Sequence, residues 1–187
     1  MNELFRIKKY IEYQWKAKTK YYLHSPFVYQ FYLNVLEGEV DTSIEEKQGK
    51  LLYRLTKYFN LQNILIVGDS GSISKYFKLA NQKINITSKQ NSGKQIQTES
   101  HSVFDLILFD NNFSKETILE YFHQSLSNIN QNSIFILKDI YGSKEINKTW
   151  KEIKAHPQIT LTLDIFQFGI CFFRKGKLAK ENFVLRY

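Results

Sequence analysis

The chain has 187 residues, 43% hydrophobic and 16% aromatic, with a formal net charge of +8; this suffices for one packed core and excludes a globally disordered or collagen-like chain. A single cysteine, Cys171, excludes an internal disulfide and with it a disulfide-stapled secreted scaffold. No apolar run approaches the ~18–20 residues that span a bilayer, so no transmembrane segment is expected, and the polar, aromatic N-terminal stretch is unlike a signal peptide; a cytoplasmic location follows.

Residues 2–20 set Leu4, Phe5, Ile7, Ile11, Tyr13 and Trp15 at roughly helical spacing among Lys8, Lys9, Lys16, Lys18 and Lys20, which predicts a helix with a basic face. Ser25 and Pro26 open a second helix as N-cap and first-turn residue, and Gly38 closes it. Ser43 with Glu45 and Glu46 opens a third, running to about Phe59. From Asn63 the grammar changes. Ile64-Leu65-Ile66-Val67 reads as a buried parallel strand that ends in the glycine-bearing loop Gly68-Asp69-Ser70-Gly71-Ser72. A helix over about 73–81 follows, then a strand from Ile84 to Thr87. A third strand spans Phe104 to Phe109 and ends at Asp110; residues 114–127 form a helix; Ser133 to Leu137 is another buried strand, ending at Lys138-Asp139. Ser143 caps a helix to about Ala155, which His156-Pro157 stops. Strands at 159–165 and 168–174 are joined too closely for anything but antiparallel pairing, and Phe183 to Tyr187 offers an edge strand. Cys171 lies in an apolar run and is expected in the core.

Strands alternating with helices predict an α/β fold: a doubly wound, Rossmann-like, mostly parallel sheet with an antiparallel last strand, plus N-terminal helices. Residues 1–59 form a helical extension packed on the core, and 60–187 the α/β domain. Ligands of such sheets bind at the carboxyl ends of the central strands, so the loops after Val67, Thr87, Phe109 and Leu137 form the site. The Gly68–Ser72 loop lacks the lysine of a phosphate loop and the spacing of a dinucleotide fingerprint. No Gly-x-Ser-x-Gly elbow is present, and the four histidines, His24, His101, His123 and His156, lack metal-ligand spacing.

The stretch Tyr22-Leu23-His24-Ser25-Pro26-Phe27-Val28-Tyr29, with Ile64 to Ser74, Phe104 to Asn112, Asp139-Ile140, Trp150 with Ile153, and Gly169 to Arg174, resembles the class I S-adenosylmethionine (SAM)-dependent methyltransferases, in particular bacterial O-methyltransferase-like proteins with an aromatic helical N-terminus. The resemblance implies SAM as cofactor, held at its methionine end by Gly68, Asp69, Ser70, Gly71 and Ser72, with Ser88 and Asp110 completing the cofactor residues. It implies methyl transfer to a small-molecule acceptor, with Asp110 and Asp139 lining the substrate end; these two and the adjacent Lys138 are the candidate catalytic residues. An acidic residue that commonly stands in the first strand falls here at Ile66. The carboxylate that usually takes the ribose hydroxyls falls near Ser88-Lys89, where none stands. Gln95 to Thr98 is what remains of an edge strand.

Related catechol-type enzymes hold magnesium at such strand ends, yet Lys138 beside Asp139 opposes a cation. A helix N-cap or cofactor-edge role for Asp139 is therefore favoured, and no metal is expected. Lys138 could steer an acidic substrate or act as a base. The alternative to an enzyme is a catalytically inactive methyltransferase-fold binding or assembly protein. The basic, aromatic N-terminus could stack nucleobases or lie on a membrane surface; packing on the sheet or on a second subunit, giving a homo-oligomer, is favoured over nucleic acid.

Overall fold

A computed structural model describes residues 3–40, 44–69, 71–89, 103–110, 113–176 and 179–187. Three helices come first: α1 (Glu3–Lys16), α2 (Pro26–Phe31, widening into a π-helical turn at Tyr32–Leu36) and α3 (Lys47–Phe59). Then follow β1 (Asn63–Val67), α4 (Gly71–Ala80), β2 (Asn85–Lys89), β3 (Leu106–Phe109), α5 (Lys115–Ser125), β4 (Ile134–Lys138), α6 (Lys144–Ala155), β5 (Leu161–Asp164), β6 (Phe168–Phe172) and β7 (Glu181–Val184). The ends follow local chemistry. Pro26 occupies the first turn of α2 after an extended Ser25. Asn60 closes α3 in the left-handed conformation (φ 50°). The hydroxyls of Ser114 and Ser143 accept backbone N–H bonds from Thr117 (3.2 Å) and Ile146 (3.1 Å), capping α5 and α6.

The strands form one sheet in the order β2-β1-β3-β4-β6-β5-β7. β1 pairs in parallel with β2 and β3, and β3 with β4; β6 runs antiparallel to both β4 and β5, while β7 is parallel to β5. The antiparallel strand is thus the second of the hairpin, and the last strand in the chain runs with the majority: Phe172 at the end of β6 and Glu181 at the start of β7 both stand beside Leu161, so β7 starts from the end of the sheet at which β6 finishes. Side chains alternate across β1. Ile64 and Ile66 enter a core shared with Val28, Phe31, Leu51 and Leu55 of the N-terminal helices, whereas Leu65 and Val67 face Ile118, Phe122, Trp150 and Ile153 of α5 and α6. The fully buried Trp150 ring lies so close to β6 that a Cβ on Gly169 would come within 2.7 Å of it, which explains a glycine inside a strand.

Several boundaries differ from expectation. α3 starts at Lys47, because Glu46 is the extended residue before the helix; Ser43 lies outside the described residues. β2 runs two residues further than its apolar content suggested, since backbone pairing with β1 carries it to Lys89; Ser88 is therefore a strand residue opposite Ile66 rather than part of a loop. The edge strand expected at Gln95 to Thr98 falls outside the described residues. Cys171 is fully buried, and burial pushes its thiol pKa up. Among the described residues no helix is long and apolar enough to cross a membrane.

His156, at the end of α6, packs its ring against Phe122 (5.3 Å) and His123 (5.7 Å). Burial, then the neighbouring His123 and Lys180, lower its pKa from the ordinary value. A depressed folded-state pKa favours the neutral ring, so its stabilisation is present above the unfolded pKa of about 6.5 and is lost as pH falls through the folded value. Thermal melts from pH 7.5 to 5 should therefore show a smaller acid-side drop for His156→Gln than for the parent; equal drops would refute the assignment.

Candidate functional site

β1 leads through α4 to β2 on one side, and the chain then crosses to β3 on the other, so the sheet's topological switch point lies between β1 and β3. Ligands of open parallel sheets bind outside the carboxyl ends of the strands at such a point. Gly68 sits at this point with φ 130°, a region that glycine alone enters without strain. Its N–H donates to the Lys89 carbonyl at the end of β2 (2.8 Å), and the Asp110 N–H donates to the Val67 carbonyl (2.9 Å). The turn thus ties three strand ends together. A Cβ on Gly68 would lie 2.5 Å from the Cβ of Asp110 and 3.3 Å from the Phe113 ring. Asp69 is turned into its own loop, its carboxylate accepting the Gly71 N–H (2.9 Å) where α4 begins. Ser72 is exposed on the first turn of α4, Ser88 is exposed on β2, and Ser70 lies outside the described residues.

Asp110 is 3% exposed and pairs with Lys138, whose ammonium nitrogen stands 3.2 Å from Oδ1. Parallel pairing of Phe109 with Leu137 brings these next residues side by side. Gly68, Asp110 and Lys138 are therefore assembled at one place. Asp139 follows directly but takes another partner: the Arg6 guanidinium lies 3.1 Å from its carboxylate. Its backbone is left-handed (φ 51°), with its N–H bonded to the Gln167 carbonyl (2.5 Å) and its own carbonyl accepting the Gly142 N–H (2.7 Å). The N-cap role expected of Asp139 is taken instead by Ser143, because the left-handed turn of 139–142 directs the chain past Asp139 before α6 begins.

The reach of α1 was not legible in the sequence. The helix crosses the carboxyl ends of β4, β5 and β7. Arg6 binds Asp139; Tyr10 and Tyr13 pack on Phe166 of the β5–β6 turn, at 5.1 and 5.3 Å; the Tyr13 hydroxyl donates to the Leu185 carbonyl (2.5 Å). Burial raises the Tyr13 pKa to about 12, so it remains a donor. Beneath, the Tyr141 ring stacks on Phe166 (5.2 Å) and its hydroxyl donates to Asp164, which also accepts the Phe166 N–H (3.0 Å). Burial pushes the Asp164 pKa up against these two hydrogen bonds, and burial together with the Asp164 charge pushes that of Tyr141 up. A cavity of about 410 Å³ opens beside this lid, lined by Glu3, Arg6, Ile7, Tyr10 and Phe166. The only sequence signal for this arrangement was the short Phe166-Gln167 connection between two strands. His24 lines a different cleft, between the end of α1 and Arg186. Among the described residues no group of three or more His, Cys, Asp or Glu is placed to hold a metal ion.

This strand order, with its one antiparallel strand and a glycine turn at the switch point, defines a Rossmann-like α/β protein of the class I methyltransferase fold. No family model matches the sequence, and no curated protein matches it. Among solved structures, the chain is similar to a Staphylococcus aureus protein provisionally called a caffeoyl-CoA O-methyltransferase, with TM-score 0.58, 14% identity and coverage of 91% of this chain and 99% of that one. It is similar to cofactor-bound Rv0187 from MTB, with TM-score 0.54, 14% identity, and 82% and 99% coverage. It is also similar to the O-methyltransferase TomG of tomaymycin synthesis from Streptomyces achromogenes, solved with SAM, with TM-score 0.53, 14% identity, and 72% and 82% coverage. The likeness is one of fold.

Proposed function

We propose that this chain binds SAM at the carboxyl ends of β1 and β3 and transfers a methyl group to a small-molecule acceptor. The observation that carries the reading is Gly68: at φ 130°, pressed against Asp110 at the switch point, it leaves room where any side chain would intrude. This cradle fits the amino-acid end of the cofactor, where the backbone at Gly68 and Asp69 approaches closely and Asp110 offers a carboxylate to the amino group. The ribose end is served differently. β2 offers Ser88 and Lys89 in place of a carboxylate, and a hydroxyl is a weaker acceptor than a carboxylate, so modest affinity is expected. SAM, when bound, supplies the electrophilic methyl group.

The chain's own part is positioning. Lys138 holds Asp110 in place toward the cofactor side. Asp139 borders the acceptor side, where Arg6 and α1 cover the strand ends and exclude water. Titration calorimetry with SAM and with S-adenosylhomocysteine tests this reading. Saturable heat for both is expected; no heat and no thermal shift at millimolar ligand would overturn it. That outcome would leave the second reading, a methyltransferase-fold binding or assembly module. The ion pairs that engage both strand-end carboxylates favour that alternative.

A further inference from the structure

The helix that covers the site is inverted in its amphipathicity. Arg6 and Tyr13 point inward to Asp139 and Leu185, while Leu4, Ile7, Ile11 and Trp15, spaced as one helical face, point outward and are 79%, 57%, 54% and 87% exposed. An aliphatic stripe ending in an indole on the outside of a folded domain is what an interaction surface looks like, since single exposed apolar residues are scattered rather than aligned. Trp15 also borders a cleft of about 380 Å³ that includes Tyr22, Lys16, Lys18, His24 and Arg186. Lys8, Lys16, Lys18 and Arg186 are all exposed along this side; Glu12 is paired with Lys9 (2.5 Å), which leaves Glu3 as the counter-charge on the outer face of the helix.

We infer that α1 is a peripheral membrane-binding helix, which lays its Leu4–Trp15 face into the interface of an anionic lipid surface. Charge complementarity selects this occupant. A second copy of the chain would bring the same basic flank and the same +8 charge against itself. A nucleic acid would match the cations and could stack on Trp15 and Tyr22, but it gives Leu4, Ile7 and Ile11 nothing to bury in. An anionic bilayer matches both features. Its acyl boundary takes the aliphatic stripe, its headgroup layer takes the indole and the tyrosine, and its negative surface takes the lysines and arginine, each contributing about fivefold in affinity. The inner contacts of α1 need not break for this, because the stripe already faces outward.

The test uses the full chain and two kinds of vesicle: phosphatidylcholine alone, and phosphatidylcholine with one third phosphatidylglycerol. Co-sedimentation with the second kind and not the first is expected, weakening as salt is raised, together with a blue shift of tryptophan emission that Trp15→Ser removes, since Trp150 is only 2% exposed. The double variant Ile7→Glu/Ile11→Glu should keep the parent's circular dichroism, because both side chains are more than half exposed, and should lose about tenfold or more in vesicle affinity. Absence of binding to the anionic vesicles would overturn the inference, as would undiminished binding by the double variant. So would a homodimer that the double variant dissociates while no vesicle is bound, or retention of an RNA oligonucleotide in place of vesicles.

Discussion

Replacing Gly68 with alanine is expected to destabilise the protein by about 2–6 kcal/mol and to abolish the proposed SAM binding. Two costs combine. A φ of 130° lies where an L side chain is strained, worth about 1–3 kcal/mol, and the new methyl would sit 2.5 Å from the Cβ of Asp110, in a turn tied to both neighbouring strands. Relief requires the turn to move away from Asp110 or Asp110 to move off β3, and overpacking of this kind costs about 1–3 kcal/mol. Either movement also deforms the cradle proposed for the methionine end of the cofactor. Urea melts give the stability change, and calorimetry on the folded fraction gives the binding. A loss below about 0.5 kcal/mol would show that the turn yields freely and that its shape is not demanded.

Lys138→Met is expected to cost about 3 kcal/mol, because it removes the ammonium that stands 3.2 Å from the carboxylate of Asp110, itself only 3% exposed. The double variant Lys138→Met/Asp110→Asn should be less destabilised than the single one by at least about 1 kcal/mol, since it removes the buried charge as well. An exposed pair would behave otherwise, with the single substitution costing under about 1 kcal/mol and the double restoring nothing. The cycle therefore decides whether Lys138 serves chiefly to hold Asp110. Binding of SAM by Lys138→Met at reduced affinity, with restored stability in the double variant, is the pattern expected if Asp110 is the group that meets the cofactor.

The central strands were legible because they are buried on both faces. Runs such as Ile64 to Val67 and Leu106 to Phe109 have no solvent-facing side to interrupt them, so they stand out as continuous apolar segments. β2 was read short because it lies beyond β1, with polar Asn85, Thr87 and Ser88 exposed; its length is set by backbone pairing, which leaves no mark in side-chain composition. The caps at Ser114 and Ser143 are local chemistry, and Ser143 was readable for that reason. The partners of Asp110 and Asp139 were not. Lys138 is adjacent to Asp139 in the chain yet binds Asp110 across the sheet, since successive residues at a strand end project to opposite sides. The cation that Asp139 does bind comes from Arg6, 133 residues away.

The amino-acid sequence by itself determined the alternation of strands and helices, the glycine turn after Val67, the hairpin, and the apolar stripe of the first helix, because each depends on contacts within a few residues or on which side chains avoid water. Only the tertiary structure decided which face of that helix turns inward, which cation meets which carboxylate, and that a lid crosses the ends of β4, β5 and β7. Periodicity shows that a helix has two unlike faces, but which of them is covered depends on the polar and aromatic anchors it finds on distant strands. Here the ion pair with Asp139 and the packing of Tyr10 and Tyr13 on Phe166 hold the more polar face against the protein and leave the aliphatic one outside.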